Sequence, residues 1–411
     1  MSEPHLSTAS ADRAPLRFGE FVALVAALMS LTALGIDSML PALPAIGTSL
    51  GVAEPNHRQF VITAYLIGFA VAQLVYGPVS DRFGRRPVLI VALTCYMLTC
   101  ALAAVAGSFT LLLIARAAMG AAAAGARVVT VALVRDCFAG RAMARVMSLA
   151  FMVFMAAPIL APTFGQLVLW TGASWRMIFW GIGIAGAAVL AWFLGRMPET
   201  LDPDARQSLA PSRIFGDYIL VASDRAAVGY TLAIALLTGG LFGFIGSVQQ
   251  VMADVFHRAD LLVFVFAGVA STMAVGSFVN SRIVMRFGTR LISHTALSVV
   301  IVVAAVHLAI ALSGHENIWT FAVLQALMMG GFGLATSNFS AMAMERMGAI
   351  AGTASSLQGF VTTLGGALIG AEIGQRFDGT TIPLYAGFLL MGLGAFVIIA
   401  VAERGRLFRP S

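Results

Sequence analysis

The sequence predicts an all-α polytopic membrane protein with twelve transmembrane helices in two pseudo-symmetric six-helix bundles. Three observations support this prediction: the composition, a series of long apolar segments, and a short motif that recurs in both halves. Of the 411 residues, 59% are hydrophobic and 11% are charged, whereas soluble proteins average about 25% charged residues. The composition therefore excludes a pair of soluble domains.

Twelve apolar segments have the length of a membrane-spanning helix, which needs about 20 mostly apolar residues. Transmembrane β-strands have about 10 residues with alternating polarity, so helices are predicted throughout. In chain order, the predicted spans are 18–43, 59–79, 87–106, 109–134, 145–169, 175–196, 228–251, 260–281, 291–312, 318–340, 351–374 and 381–402.

The arginines predict how these spans are oriented, because basic residues concentrate in cytoplasmic loops. Nineteen arginines lie in segments on the side of the two termini, and four lie in segments on the opposite side. Both termini are therefore predicted to be cytoplasmic. The formal net charge is +6, but the arginines are spread over many short loops, so we expect no nucleic-acid partner.

A polar connection divides the spans into two groups of six. The predicted organisation is an N-terminal tail (1–17), a first bundle (18–196), a cytoplasmic linker (197–227), a second bundle (228–402) and a C-terminal tail (403–411). A shift of 204 residues places the Arg82–Arg86 segment on Arg286–Arg290, with Arg, Phe, Gly and Arg matching after spans 2 and 8. Duplicated halves are typical of transporters whose binding site lies between them.

The loop after span 2 reads GPVSDRFGRRP, from Gly77 to Pro87. A loop that only supplied positive charge would not need this spacing of glycine, acid and glycine. The loop resembles the G-x-x-x-D-R-x-G-R-R signature of the major facilitator superfamily and matches it in full. In that family the acid docks on the start of span 11. The resemblance therefore implies a conformational latch made by Gly77, Asp81, Arg82, Gly84, Arg85 and Arg86.

Two further spans carry partial motifs. Span 4 contains RAAMG, in which Arg116 precedes Gly120 by four residues. It resembles the family's second motif, whose Arg serves proton coupling. Span 5 reads AAPILAPTFGQ at 156–166 and resembles the antiporter motif in part. From this segment alone, a proline-kinked packing helix is an equal alternative.

Three other segments narrow the resemblance to the Bcr/CflA branch of drug:proton antiporters. They are IDSMLPALP at 36–44, VRDCFAGRAMARVMSL at Val134–Leu149 and AMERMGAIAGTASSLQG at Ala343–Gly359. The resemblance covers nearly the whole chain. It implies export of small drug-like molecules across the bacterial inner membrane by alternating access, driven by protons, with no cofactor or metal. The sequence has no H-E-x-x-H, G-x-S-x-G or P-loop motif, so we predict that it is not an enzyme.

Asp37 is an acid in the otherwise apolar segment LGIDSMLPALP. A carboxylate at the centre of a span costs about 2.5–3.5 kcal/mol on insertion scales. Asp37 and Arg116 lie at equal predicted depth, roughly 10 Å below the same membrane face. We predict that this pair carries proton coupling, since a carboxylate whose surroundings alternate between wet and dry binds and releases protons. A static ion pair and a solvated Asp37 are the alternatives.

The predicted substrate cavity has two stripes. Arg127 follows Arg116 by about three helical turns, which places Arg116, Gly120 and Arg127 on one face of span 4. Arg127 is expected to hold an anionic or carbonyl-rich substrate, or to pair with a polar group of a neighbouring helix. The remaining predicted cavity residues, which suit amphipathic ligands, are Tyr65, Gln73, Tyr76, Pro158 and Pro162. Tyr65 as an interfacial aromatic is the alternative.

The second half has no clearly buried acid, so we expect coupling in the first half and a packing role for His307. The alternative function is import of a small nutrient or of copper, because thioethers suit Cu(I) and the chain has 20 methionines. Methionine in helices more often fills gaps in packing. The expected partners are a small molecule, protons and the lipid bilayer, and the expected oligomeric state is a monomer.

Overall fold

Long helices make up nearly all of the structure. The computed structural model describes residues 15–138, 140–154, 156–206, 211–347 and 350–409, and these residues contain no β-strand. The helices of the first half are α1 (Phe18–Asp37), α2 (Leu43–Ser49), α3 (Phe60–Phe83), α4 (Arg85–Ala104), α5 (Phe109–Cys137), α6 (Gly140–Phe154), α7 (Ala157–Trp170) and α8 (Arg176–Arg196). Those that follow are α9 (Pro211–Ser223), α10 (Arg225–Gln250), α11 (Leu262–Phe287), α12 (Thr289–Leu312), α13 (Ile318–Met344), α14 (Ala351–Gln375) and α15 (Ile382–Ala402).

The helices confirm the predicted polytopic membrane fold. Within the described residues, 11 helical segments are long and apolar enough to cross a membrane. The twelfth predicted span is α14, which has 25 residues but is rich in glycine, serine and threonine. Because α14 packs on α10 and on α3 of the other half, much of its surface meets protein rather than lipid. Its lower hydropathy follows from that position.

The first span contains a break. α1 ends at Asp37, before the predicted boundary at residue 43, and a short 3₁₀ segment at Leu40–Ala42 separates it from α2. Proline lacks a backbone donor and disfavours helical backbone in the residue before it, which explains why the helix does not continue through Pro41. The break places Asp37 at a helix C-terminus inside the molecule.

The helices α6 and α7 cover the fifth predicted span, and Arg145–Trp170 is one segment long and apolar enough to cross a membrane. Pro158 stands in the first turn of α7, where its missing donor costs little. Pro162 lies further along the same helix.

The two halves repeat the turn that follows their second span. Gly84 joins α3 to α4 with φ 101° and ψ 159°, and Gly288 joins α11 to α12 with φ 78° and ψ 158°. Only glycine adopts such positive φ angles readily. The predicted sequence repeat therefore has the same backbone conformation in both copies.

The predicted linker, 197–227, contains helix α9, and α10 begins within it at Arg225. Asp224 accepts a hydrogen bond from the backbone N–H of Ala227 at 2.8 Å, which is a typical N-terminal cap. Most of the predicted N-terminal tail and residues 207–210 lie outside the described part of the chain. The boundaries of the two bundles and their tails stay predictions.

Candidate functional site

A cavity of about 380 Å³ lies between the two halves. Both halves supply its wall, from α1, α3, α5, α6 and α7 on one side and from α10, α11, α13 and α14 on the other. Most of the wall is apolar, and its aromatic residues are Phe69, Phe154, Phe242, Phe244 and Phe266. Its polar side chains are Thr32, Asp37, Gln73, Arg127, Thr362 and Thr363. An apolar wall with a few polar groups is typical of sites for small amphipathic ligands.

Asp37 lies in this wall at the C-terminal end of α1. Its side chain is 5% exposed, and neither carboxylate oxygen has a hydrogen-bond partner among the described residues. The negative end of the α1 dipole offers no stabilisation to a second negative charge. An unpaired carboxylate inside a membrane-spanning region is costly and is typical of functional sites.

Arg116 does not pair with Asp37, so the predicted ion pair is wrong for the state that the structure describes. The Nε atom donates to the carbonyl oxygen of Val61 at 2.9 Å, and Nη1 donates to that of Gly35 at 2.7 Å. Carbonyls in the last turn of a helix lack intrahelical partners, and Gly35 lies in the last turn of α1. Arg116 therefore reaches the depth of Asp37 but binds the backbone there.

Tyr65 on span 2 and Gly120 on span 4 do not line the cavity, so the prediction is wrong for these two residues. Tyr65 is fully buried, with the Arg116 guanidinium 4.6 Å from its ring centroid and its hydroxyl donating to Thr32 at 3.3 Å. A Cβ atom on Gly120 would overlap the backbone oxygen of Tyr65. Small residues permit such close approach between helices in membranes. The stripe therefore packs α5 against α3, and of its charged residues only Arg127 reaches the cavity.

Gln73, Arg127 and Pro158 are the predicted cavity residues that lie in the wall. Gln73 donates to the carbonyl of Gly359 at 3.4 Å and to the hydroxyl of Thr363 at 3.3 Å, both on α14. Arg127 lies 5.7 Å from the ring centroid of Phe154 and makes no hydrogen bond within the described residues.

Two other predicted cavity residues are placed elsewhere. Tyr76 packs its ring across Gly125, and Pro162 is buried on α7. They therefore support the helices around the cavity rather than its surface.

Four amide side chains join the halves at one end of the cavity, and sequence reasoning missed them as a group. This amide cluster consists of Asn56, Gln59, Gln250 and Gln375. Gln59 donates to Gln250 at 2.5 Å, and Gln250 donates to Asn56 at 2.8 Å. Asn56 also donates to the carbonyl of Phe377 at 2.8 Å, and Gln375 donates to the carbonyl of Asn56 at 2.8 Å.

The amide cluster closes the side of the molecule opposite the Gly77–Pro87 loop. In the described part of the chain, hydrogen bonds between the halves come from this cluster and from Gln73. No ion pair in the described residues crosses between the halves. The closed end is therefore fastened by neutral amides.

The Gly77–Pro87 loop lies at the other end, beside the chain termini. Arg85 is 3% exposed and binds Asp81 at 2.5 Å and Asp136 at 2.8 Å. The predicted docking of Asp81 on the start of span 11 is not formed, because its partner in the described residues is Arg85. Gly77 does face α14, since a Cβ there would lie 3.3 Å from Ser356 Oγ. Arg82 is exposed.

Glu199 is a residue of this loop network that the sequence analysis missed. Its carboxylate accepts the backbone N–H groups of Arg85 at 2.9 Å and Arg86 at 3.1 Å, at the start of α4. A carboxylate at a helix N-terminus is favourable. A Cβ on Gly84 would overlap Glu199, so the glycine permits the contact. The sequence repeat could have identified Glu199, because a shift of 204 residues places it on a second glutamate, Glu403.

The second half contains a buried acid outside its spans. His307 is fully buried, and its Nε2 atom lies 2.7 Å from Glu316, whose side chain is 8% exposed. Thr381 also hydrogen-bonds this carboxylate, and the His307 ring stacks on Tyr385 with 3.4 Å between centroids. The group joins α12, α13 and α15 and does not reach the cavity wall. The expectation of no deeply buried acid in the second half overlooked Glu316, because it lies in a connection.

Comparison with known proteins identifies the family. The model of the Major Facilitator Superfamily matches residues 25–371. A bicyclomycin resistance protein homolog of Haemophilus influenzae is 31% identical over 93% of this chain and 94% of its own length. Multidrug resistance protein D of Escherichia coli is 28% identical over 88% of this chain and 89% of its own. Both relatives agree with the predicted Bcr/CflA resemblance.

Solved structures agree on the fold. The xylose transporter XylE of E. coli, in a partially occluded inward open conformation, has a TM-score of 0.73 over 93% of this chain and 97% of its own, at 12% identity. The human organic anion transporter MFSD10 has a TM-score of 0.66 over 93% of this chain and 100% of its own, at 18% identity. The family match, the paired bundles and the central cavity lead to one conclusion: this chain is a multi-pass membrane transporter that belongs to the Major Facilitator Superfamily.

Proposed function

We propose that the protein exports small amphipathic, drug-like molecules in exchange for protons, by alternating access. The names of its relatives, which include bicyclomycin and multidrug resistance proteins, support this function. The observation that carries the coupling is Asp37, a carboxylate in the cavity wall with no partner in the described chain. The exchange needs no cofactor in this proposal, because the proton gradient supplies the energy.

Asp37 couples the two fluxes because its charge must change with its surroundings. When the cavity is open to water, the carboxylate is solvated and can release its proton. When the cavity is closed and dry, an unpaired charge there is costly, so closure requires a proton or a bound cationic group. Substrate and proton therefore neutralise Asp37 in turn, and neither half-cycle proceeds with the site empty.

Arg116 acts in this proposal as a positioning residue. Its bonds to Val61 and Gly35 tie α5 to the carbonyls of α3 and α1. The bond to Gly35 lies two residues before Asp37 and holds the last turn of α1. It thereby fixes where the carboxylate enters the cavity.

The orientation belongs to the same proposal. We place both termini and the Gly77–Pro87 loop on the cytoplasmic side of the bacterial inner membrane, because the arginines concentrate there. The amide cluster then closes the extracytoplasmic side. A monomer contains the complete cavity and suffices for transport.

Everted membrane vesicles test the function. Drug addition to energised vesicles that carry the protein should release protons from the lumen, and a fluorescent pH probe measures this release. Asp37→Asn should abolish the drug-induced proton movement while the protein still folds, since the neutral amide cannot exchange a proton. Asp204→Asn, an exposed acid outside the bundles, is the matched control and should behave as the unmodified protein.

Two results contradict the proposal. Full coupling in folded Asp37→Asn protein would remove the carboxylate from the mechanism. Silence across a broad drug panel, together with accumulation of a nutrient or of copper in intact cells, would favour import instead.

A further inference from the structure

The cavity contains a second unpaired charge, the guanidinium of Arg127. It lies on α5 beside Phe154 and makes no hydrogen bond or ion pair within the described residues. Asp37 and Arg127 are the charged side chains of the cavity wall, and no ion pair within 4.0 Å joins them. The wall thus offers one negative and one positive group that do not neutralise each other.

Charged groups inside membrane spans normally find a partner in the protein. Arg116 and Arg85 follow this rule, with carbonyl and carboxylate partners respectively. Arg127 does not, although it faces a wall that is mostly apolar. Its partner in the loaded state must therefore come from what enters the cavity.

The charges of Asp37 and Arg127 restrict which class of substrate can exchange with a proton in this cavity. A cation can displace the proton from Asp37 but leaves Arg127 unpaired and is repelled by it. An anion can bind Arg127 but favours a protonated Asp37, which opposes release of the proton. A molecule that carries both an ammonium group and a carboxylate satisfies Arg127 and displaces the proton from Asp37.

We infer that the preferred substrates are amphipathic zwitterions, which place their ammonium group at Asp37 and their carboxylate at Arg127. This inference rests on the proposed proton-coupled export. The flat aromatic body of such a molecule packs against Phe69, Phe154 and Phe242. A carboxylate forms two parallel hydrogen bonds with a guanidinium, so Arg127 also sets the orientation of the substrate.

Three probes with one aromatic core test the charge requirement: norfloxacin, its methyl ester and its N-acetyl derivative. They are respectively a zwitterion, a cation and an anion near neutral pH. Everted vesicles with the unmodified protein should accumulate norfloxacin with an apparent affinity roughly tenfold or more above that of the ester, the range of one charged hydrogen-bonded pair.

Substitution of Arg127 should remove this preference selectively. Arg127→Gln should lower the apparent affinity for norfloxacin about tenfold and leave that for the methyl ester unchanged or higher. Arg127→Lys keeps the charge and should retain most of the preference. Arg135→Gln makes the same chemical change at an exposed position two turns further along α5 and should change neither probe.

Proton release on binding supplies a readout that does not require transport. Purified protein in weakly buffered detergent should release protons when norfloxacin or its ester binds, because both carry an ammonium group. The N-acetyl derivative should release none. Asp37→Asn protein should release none with any probe.

The outcomes separate this inference from the proposed function. Equal loss of all three probes in folded Arg127→Gln protein, or no preference for norfloxacin over its ester, would overturn the substrate class alone. Proton exchange with the ester, but not with norfloxacin, would also overturn the substrate class alone. No proton exchange with any of these compounds would overturn the proposed function and the inference together.

Discussion

At the scale of single residues, buried polar groups differ in whether the chain supplies their partner. Arg85 binds two carboxylates, and Arg116 binds two backbone carbonyls. Asp37 and Arg127 have neither among the residues that the structure describes, and both line the central cavity. The groups with partners hold helices together, whereas in the proposed mechanism Asp37 binds the proton and Arg127 binds the substrate.

The sequence predicted some of these buried polar residues and their partners but not others. Asp37 was identifiable because a single acid in an apolar span has no other ready explanation. The partners of Arg116 were not, because a backbone carbonyl in a helix end has no side-chain signature. Arg127 was identifiable as a buried cation, but its lack of a partner required the structure.

The hydrogen bonds of Glu403 near the Gly288 turn predict a pH-dependent contribution to stability. Burial alone would raise the pKa of its carboxyl, but hydrogen bonds from Tyr230 and Arg290 lower it below the ordinary 4.5. These bonds measure 2.6 Å and 3.1 Å. A carboxyl with a lowered pKa stabilises the fold above its ordinary pKa, and this stability is lost as the pH falls through the lowered value.

Glu403→Gln should therefore lower the free energy of unfolding by about 1–3 kcal/mol near neutral pH. The difference between the two proteins should shrink below about pH 4.5. Thermal unfolding in detergent at several pH values measures it, with the exposed Glu54→Gln as control. A difference that is constant down to pH 3 would mean that the Glu403 charge does not stabilise the fold.

At the scale of helices, glycine determines how closely α3 and α5 pack. A Cβ on Gly68 would overlap the backbone oxygen of Ala117, and a Cβ on Gly120 would overlap that of Tyr65. Both obstacles are backbone atoms, which cannot rotate away as a side chain can. This tight pair also holds Arg116 between α3 and α1.

Gly120→Ala should force α3 and α5 apart and destabilise the protein by about 1–3 kcal/mol, the usual cost of overpacking. The melting temperature in detergent measures the effect. Gly195→Ala adds the same methyl group to α8, where nothing lies within 4 Å, and should leave the melting temperature unchanged. Equal stability of the two variants would contradict the packing account.

Helix boundaries illustrate what sequence patterns predict well. Apolar length located most of the spans to within a few residues, since burial in lipid demands it. The break after Asp37 was harder to predict, because prolines inside a span are tolerated in several ways. The helix α9 was missed because its surroundings are polar and its neighbours in the chain read as a linker.

At the scale of the whole molecule, the amide cluster fastens one end of the two halves. Its partners lie 191 to 321 residues apart in the chain. No periodicity links residues at such distances, and glutamine and asparagine are common in loops. The fold was therefore predictable from the sequence, whereas the hydrogen bonds that join the two halves at the amide cluster were not.

A substitution at Gly374 tests whether the amide cluster holds this end closed. A Cβ there would overlap the Gln59 side chain, which is held by Gln250 at 2.5 Å and by the Gly374 carbonyl at 3.1 Å. Gly374→Ala should break these bonds and shift the equilibrium toward opening of the amide end. The loss of one or two hydrogen bonds corresponds to about a tenfold change in population.

Cysteine accessibility measures the shift. A cysteine introduced at Phe244, in the cavity wall, reports on access in a protein whose native cysteines are replaced by serine. A membrane-impermeant maleimide added on the amide side should label it about tenfold faster in Gly374→Ala protein. Gly268→Ala, whose added methyl group meets nothing within 4 Å, should not change the rate. Unchanged labelling in Gly374→Ala would show that the cluster does not control access.

The side chains of the amide cluster carry no charge, so the contacts that close this end differ in kind from the charged groups of the cavity. An external gate built from ion pairs would weaken or strengthen with the acidity and salt of the medium it faces. Amides do not titrate in the physiological range, so the tightness of this closure is the same in acid and in neutral surroundings. In the proposed proton-coupled cycle, the acidity and salt of the medium therefore act through the charged groups Asp37 and Arg127 rather than through the amide cluster.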